Sequence, residues 1–291
     1  MRVSGGSAAS AMLFSRSQIQ EDLSMYARIP YALAIVSAAV GVVTSAQAAG
    51  DSDQRGWSLS IIGASSGGQS GQLLSTSQNA VQDLSVLDPV LTGPGTLSVD
   101  GLHYSDMFRP SSAAGIEAGY GLNNHVSITT RLSVARSLGR SLNLGVVSGS
   151  GIETPETLAA KFSDTDDVTV NVGARYAWTL GQRWRPFIGG GLGITRPDAI
   201  RASLASTSPS FALSDVEFTD RRHVLEANFI GGADLAIGPT FDLRFSAGAD
   251  YTGATKASTD PALAALGLTL DRAYGGRLEY PIGIAAVFKL H

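Results

Sequence analysis

Residues 168–194 read VTVNVGARYAWTLGQRWRPFIGGGLGI. From Val168 to Leu180 every second residue is apolar or aromatic, a turn follows at residues 181–183, and the alternation resumes from Trp184 to Ile194. A period of two is typical of a β-strand with one apolar face. Two strands of about ten residues joined by a short turn indicate a hairpin that crosses a bilayer as part of a β-barrel.

Six further segments show the same period of two. They are residues 56–64, 113–122, 125–136, 223–237, 241–251 and 277–290. The connections between consecutive segments are short turns and long loops, which alternate along the chain. The sequence therefore predicts an all-β fold: a transmembrane antiparallel up-and-down β-barrel of eight strands, with short periplasmic turns and long extracellular loops. The first long loop has room for one more hairpin, which leaves ten strands as an alternative. The long loops are polar and rich in glycine, and we expect them to be mobile.

Composition supports a barrel with lipid outside. The chain has 291 residues, 34 of them glycine, with a formal net charge of −4. Only Lys161, Lys256 and Lys289 are lysines, whereas a soluble β-barrel normally covers its outside with charged residues. Because cysteine is absent, disulfides and thiolate metal sites are excluded. The net charge provides no basic field for nucleic acid.

The N-terminal region has the pattern of an export signal. Met25 and Arg28 precede an apolar stretch from Tyr31 to Val43, and Ala46-Gln47-Ala48 has the form of a cleavage site. We expect residues 25–48 to be a signal peptide and residues 49–291 to form the barrel. Residues 1–24 are read as a gene-model extension, or alternatively as a long n-region.

The second face of the predicted strands carries charged side chains. Charge facing hydrocarbon costs about 2–4 kcal/mol for an arginine near the midplane of a barrel, so these side chains are predicted to face the lumen. An eight-stranded barrel is only wide enough for its lumen to be filled by side chains. Two interpretations are open, a salt-bridged polar filling or a narrow conduction path. The predicted luminal network consists of Glu117, Arg131, Arg175, Glu226, Asp234, Arg244, Asp250 and Glu279.

Aromatic residues cluster near the ends of the predicted strands. Such residues suit the two membrane interfaces, where one part of the ring is wet. The predicted interfacial aromatics are Trp57, Tyr120, Trp178, Trp184, Phe241, Tyr251 and Tyr280.

Three segments carry a family resemblance. Residues 184–193, WRPFIGGGLG, resemble the W-x-P-Y-V-G-A-G-L-G pattern of the OmpA-like and OmpW-like outer-membrane β-barrels. Residues 115–122 (GIEAGYGL) and 232–239 (GADLAIGP) resemble other strand and turn units of that family. The resemblance implies a bacterial outer-membrane location, contact with membrane lipid and lipopolysaccharide, and assembly by the barrel-assembly machinery. It also leads us to expect no periplasmic peptidoglycan-binding domain.

The sequence indicates no enzyme, cofactor or metal site. His223 follows Arg221 and Arg222 at the predicted outer rim, but no serine or aspartate partner is indicated by spacing. We interpret this rim as a contact for lipopolysaccharide phosphates or as a solvated loop edge. Calcium needs six to eight oxygen ligands, so an acidic cluster is interpreted as an exposed loop; its members are Asp164, Asp166 and Asp167.

Three functions remain open. The first is a structural or surface-interaction role through the extracellular loops, with an unknown extracellular ligand. The second is a narrow channel for small or apolar solutes, as in the OmpW-like branch. The third is a soluble secreted barrel of lipocalin type, which requires the apolar face to point inward.

Overall fold

The computed structural model describes residues 56–75, 77–81, 84–86, 93–149, 152–206, 212–258, 260–266 and 276–290. The predicted signal peptide and residues 1–24 lie outside this part of the chain. The helices found in it are single turns, at Tyr104–Met107, Pro261–Ala265 and the 3₁₀ turn Leu84–Val86. In the described residues, no helix has the length and apolar character needed to cross a membrane.

Sixteen strands are found in the described ranges. In chain order they are β1 (Trp57–Ser70), β2 (Gln72–Leu74), β3 (Ser77–Val81), β4 (Gly95–Val99), β5 (Leu102–His103), β6 (Ser112–Gly121), β7 (Val126–Ser137), β8 (Ser141–Gly149), β9 (Glu156–Phe162), β10 (Thr165–Ala177), β11 (Trp184–Pro197), β12 (Arg201–Ser206), β13 (Ala212–Glu217), β14 (Val224–Ala236), β15 (Phe241–Thr252) and β16 (Arg277–Leu290).

Eight of these strands close into a barrel. Their order around it is β1-β16-β15-β14-β11-β10-β7-β6. This confirms the predicted eight-stranded barrel, and neighbouring strands are antiparallel in every pair whose register is resolved. The boundaries differ slightly from prediction: β10 ends at Ala177, so Trp178 and Leu180 belong to the turn, where Leu180 bridges Trp184.

The apolar face of the barrel strands points outward. Leu192 is 72% exposed and Leu225 is 76% exposed, whereas Glu117 on the other face is only 2% exposed. This arrangement excludes the lipocalin-type alternative, because that barrel has its apolar face inside. It fits a lipid environment, because lipid chains there replace water around the outward apolar side chains.

The long loops differ from the prediction. Instead of being irregular throughout, three of them contribute strands to a second sheet of six strands in the order β13-β12-β9-β8-β4-β3, which we call the loop sheet. β8 and β9 continue the hairpin of β7 and β10, and β12 and β13 continue the hairpin of β11 and β14, so the loop sheet extends two barrel hairpins. The extra hairpin expected in the first loop exists as β3 and β4, but it pairs with β8 in the loop sheet and not with the barrel.

The loop sheet has a hydrophobic core of its own. Every buried residue of this core lies outside the eight barrel strands. Three phenylalanines pack together within it: the ring centre of Phe162 lies 6.2 Å from that of Phe108 in a T-shaped contact and 5.6 Å from that of Phe218 in a tilted one. The fully buried members include Leu84, Leu97, Met107, Leu144, Leu158, Leu204 and Phe218.

Candidate functional site

A cluster of ion pairs fills the half of the lumen nearest the short turns. Its centre is Glu117 on β6, which accepts hydrogen bonds from three arginines on different strands. The nitrogen to oxygen distances are 2.9 Å to Arg131, 2.7 Å to Arg175 and 2.8 Å to Arg244. Arg244 also donates to Asp234 at 2.6 Å. We call these five residues the Glu117 cluster.

An aromatic ring supports this cluster. Phe187 on β11 is 1% exposed, and its ring lies beneath two guanidinium groups. The distance from the ring centre is 4.7 Å for Arg175 and 5.3 Å for Arg244. Stacking on an aromatic face is favourable for a weakly hydrated guanidinium. Phe187 therefore supplies a second contact for arginines that share one carboxylate.

A second group of charges lies at the other end of the lumen, beneath the loop sheet. Arg277 on β16 forms ion pairs with Asp167 on β10 and with Glu279, the latter at 2.7 Å. Its guanidinium lies 5.9 Å from the ring centre of Tyr104, which belongs to the loop-sheet core. Ser111 donates a hydrogen bond to Glu279 at 3.1 Å. Arg277 thus connects the barrel wall to the loop region.

A cavity of about 110 Å³ lies between these two groups. Small side chains and glycines line most of it, and four carboxylates border it. Glu226 accepts hydrogen bonds from Thr169 at 3.0 Å and from Thr195. Asp250 lies directly opposite Glu279 in the register of β15 and β16. A cavity of this size, bordered by carboxylates, has room for a few water molecules.

The eight residues of the predicted luminal network occupy two places. Glu117, Arg131, Arg175, Asp234 and Arg244 form the Glu117 cluster. The other three, Glu226, Asp250 and Glu279, border the cavity. Whether these groups gate a conduction path stays a prediction.

Several lumen residues were not predicted from sequence. Asp167 was interpreted as part of an exposed acidic loop, and this was wrong: it is 6% exposed and paired with Arg277. The reason is that β10 begins at Thr165, which puts Asp167 on the inner face together with Thr169 and Arg175. On β16 the same period of two puts Arg277 on the inner face together with Glu279. On β11 it puts Phe187 on the face that carries the alternating glycines. Asp164, in contrast, does lie at the surface, where it pairs with Arg136 at 2.8 Å.

The predicted interfacial aromatics lie at both ends of the barrel strands. Tyr251 and Tyr280 are near the long-loop end, and both are exposed. Trp57 pairs with Tyr120 in register, with ring centres 5.0 Å apart. The residues near the short-turn end are Trp57, Tyr120, Trp178, Trp184 and Phe241. Their role as interface anchors stays a prediction.

The chain matches the family described as "Outer membrane protein beta-barrel domain" over residues 35–272, which is more than half of its length. None of the curated proteins matches the chain.

Three solved structures are similar to this chain at low sequence identity. OprG of Pseudomonas aeruginosa is 12% identical, with a TM-score of 0.43, and the match covers 82% of this chain and 98% of that one. Neisserial surface protein A is 13% identical, with a TM-score of 0.38 and coverage of 80% and 96%. Ail, the attachment invasion locus protein of Yersinia pestis, is 12% identical, with a TM-score of 0.35 and coverage of 81% and 100%.

The closed eight-stranded barrel, its outward apolar face and the family match agree with one another. The family implies a location in the bacterial outer membrane. The chain belongs to the outer-membrane β-barrel protein family.

Proposed function

We propose that this protein is a membrane-anchored surface-interaction protein whose loop sheet binds an extracellular partner. The observation that carries the proposal is that three of the long loops share one six-stranded sheet, which has an apolar core of its own. A folded sheet presents a fixed surface, and binding to a pre-formed surface avoids the entropy cost of ordering loops. The barrel then serves as the anchor.

The filled lumen supports this proposal. Two groups of ion pairs, around Glu117 and around Arg277, occupy the barrel on either side of the cavity. Opening a continuous path would require separating buried ion pairs, and a buried charge left without its partner costs about 3–5 kcal/mol. A surface role needs no such opening.

The outward side of the loop sheet is the proposed binding surface. Alternate residues of β12 point away from the core, so Ser203 and Ala205 are exposed while Leu204 is fully buried. Ser203 lies opposite Lys161, and Ala205 lies opposite Ala159. This face carries the small side chains of Ser203 and Ala205 beside the exposed cations Lys161 and Arg201, which suits a broad, flat contact with a protein or polysaccharide.

The test is adhesion of bacteria or vesicles that display the protein, measured on a panel of matrix proteins and glycans. Ser203→Arg with Ala205→Arg places two bulky charges on the proposed surface and is expected to abolish binding. Asn124→Arg with Thr240→Arg adds the same charge at the short turns and is expected to leave it intact. Equal adhesion of both variants, or no adhesion to any member of the panel by the unaltered protein, would contradict the proposal.

A narrow channel is the second candidate function, and the luminal cavity favours it. The cavity is bordered by Arg131 and Arg244, which also belong to the Glu117 cluster. If these arginines release Glu117, the cavity extends toward the short turns. Conductance in planar bilayers separates the two candidates. A channel gives stable current steps that change when Arg131 or Arg175 is replaced by glutamate, whereas the anchor inserts without conducting.

A further inference from the structure

Two carboxylates at the luminal cavity have no cation beside them. Glu226 on β14 and Asp250 on β15 both border this cavity of about 110 Å³. In the part of the chain that the structure describes, neither side chain forms an ion pair, and Asp250 accepts no hydrogen bond. A carboxylate removed from bulk water is costly unless a proton or a cation neutralises it. The cavity therefore contains a demand for positive charge.

The protein's own cations around the cavity are already engaged. Three arginines border it, namely Arg131, Arg244 and Arg277. The first two pair with Glu117, and the third pairs with Asp167 and Glu279. Near the short turns, Lys289 pairs with Asp242 at 2.8 Å. Each of these acids thus has a cationic partner from the chain, in contrast to Glu226 and Asp250.

Glu226 is held in place with one oxygen unused. The side chain is 9% exposed, and the hydroxyls of Thr169 and Thr195 both donate to its Oε2 atom. Its Oε1 atom accepts no hydrogen bond from any described residue. Because Glu226 lines the cavity, this oxygen is available to a molecule inside it.

The positions of the two carboxylates suit a polyatomic cation. In the register of β14 and β15, Asp250 lies opposite Asn228, two residues along the strand from Glu226. Such diagonal neighbours are roughly 7–8 Å apart in an antiparallel pair. Among the described residues, no group of three or more acidic, histidine or cysteine side chains could hold a metal ion. These observations favour an organic cation.

The size of the cavity limits the ligand. Residues with little or no side chain keep it open, among them Ala64, Gly115, Gly248 and Gly283. In another protein, an engineered apolar cavity of about 150 Å³ binds benzene. By this comparison, a cavity of about 110 Å³ admits a molecule somewhat smaller than benzene, such as guanidinium or methylammonium.

We propose that this cavity binds a small organic cation with N–H groups, of which guanidinium is the simplest planar example. The cation donates hydrogen bonds to Oε1 of Glu226 and to the carboxylate of Asp250. Hydrogen bonds between ionised groups are the stronger class, and a guanidinium has donors on every edge of its plane. The site lies inside the barrel, so it depends neither on the partner proposed for the loop sheet nor on conduction.

The test is solution NMR of the protein in neutral detergent micelles. The probes are the chlorides of guanidinium, of tetramethylammonium, which has the same charge but no N–H donor, and of sodium. Each is present during refolding and compared at equal ionic strength, because ion pairs at both ends of the cavity restrict entry. We expect saturable shifts of the backbone amide signals of Gly248 and Thr252 with guanidinium alone.

Glu226→Gln with Asp250→Asn removes both charges and keeps polar side chains of the same size. It is expected to weaken guanidinium binding at least tenfold, which corresponds to about 1.4 kcal/mol. Without guanidinium, this variant should unfold at a higher urea concentration than the unaltered protein, because it no longer holds uncompensated charge. Asp250→Asn alone, expected to change binding in the same direction, covers the case in which the double variant does not fold.

Asp242→Asn is the matched control. Asp242 is a nearly buried carboxylate on the same strand as Asp250, but it has Lys289 as its partner and does not border the cavity. This control is expected to bind guanidinium as the unaltered protein does.

Three outcomes would overturn the proposal. Absence of a saturable shift with guanidinium would mean that protons, and not a cation, neutralise Glu226 and Asp250. Equal saturation by tetramethylammonium or sodium would remove the role of the N–H donors. Unchanged affinity in the Glu226 and Asp250 variants, or an equal loss in the Asp242 control, would show that these two carboxylates do not form the site.

Discussion

The barrel and the loop sheet are built from similar alternating strands, yet their interiors are opposite in character. Inside the barrel, Glu117, Arg175 and Arg244 are nearly buried and held by ion pairs. Inside the loop sheet, the fully buried side chains are apolar, as Leu158 and Leu204 show. The outer faces are reversed as well, with Leu192 exposed on the barrel and Ser203 exposed on the loop sheet.

The difference teaches that the surrounding medium decides which face of a strand turns inward. In water, burial of apolar area stabilises the fold by roughly 25 cal/mol per Å². In the bilayer core, apolar side chains already lie in an apolar medium, while charged groups must find partners inside the protein. One chain therefore contains two kinds of core, and each is destabilised by a different kind of substitution.

The largest effect is expected for Glu117→Gln. The variant leaves Arg131, Arg175 and Arg244 with Asp234 as the remaining carboxylate of the cluster. Removing one partner of a buried ion pair costs about 3–5 kcal/mol, so the free energy of unfolding of the barrel should fall by about that amount. The measurement is the urea midpoint in lipid vesicles, followed by tryptophan fluorescence. Glu153→Gln changes an exposed loop carboxylate and should leave the midpoint unaltered. Equal midpoints for the two variants would mean that the Glu117 cluster does not stabilise the barrel.

The same leucine-to-alanine change should have different effects in the two regions. Leu158→Ala opens a cavity in the core of the loop sheet and should cost about 2–5 kcal/mol there. Leu192→Ala should cost less, because lipid chains fill the space that the side chain leaves. Limited proteolysis of vesicles containing the protein reports on the loop sheet, and the urea midpoint reports on the barrel. If Leu158→Ala leaves proteolysis of the loops unchanged, the loop sheet is not held by this core.

An arginine introduced on an outer face tests whether that face contacts lipid or water. Leu192→Arg should destabilise the inserted barrel by about 2–4 kcal/mol if Leu192 lies near the bilayer midplane. Ser203→Arg places the same side chain on the exposed face of the loop sheet and should change stability by less than about 0.5 kcal/mol. Folding into vesicles at a series of urea concentrations measures both. A similar cost at the two positions would contradict the difference in medium.

The smallest effect is expected from pH. Burial raises the pKa of the Tyr104 phenol above its ordinary value of 10.0, against the opposing influence of Arg277. The neutral phenol is thus favoured in the folded protein, so its contribution to stability is present below pH 10.0 and is lost as pH rises through the folded-state pKa. Proteolysis of the loop sheet should therefore accelerate as the pH rises through the folded-state pKa of Tyr104.

Tyr104→Phe is the control for this titration. It removes the ionisable group but keeps the ring that packs in the loop-sheet core and lies near Arg277. The rise in proteolysis with pH should be smaller in this variant. An identical pH profile would show that Tyr104 does not couple the loop sheet to pH.

The barrel was predictable from sequence because its pattern is local. Each strand shows its period of two within about ten residues, and the Trp184 to Ile194 segment identifies both the strand and its apolar face. The loop sheet was not predicted. Its strands come from three separate loops, and short segments such as Ser77–Val81 and Arg201–Ser206 lack a pattern strong enough to indicate a partner.

The sequence by itself determined how the residues of each barrel strand divide between two faces, because side chains alternate along a strand. Only the tertiary structure decided which of the two faces points outward. Only the tertiary structure decided which charges meet. Glu117 and Arg244 are separated by 127 positions in the chain, and the closure of the barrel brings them within 2.8 Å. The tertiary structure also decided that the loops fold, since their core exists only when strands distant in sequence are brought together. The physical reason is that the division of side chains between two faces is a property of a single strand, whereas pairing and packing depend on the position of its neighbours.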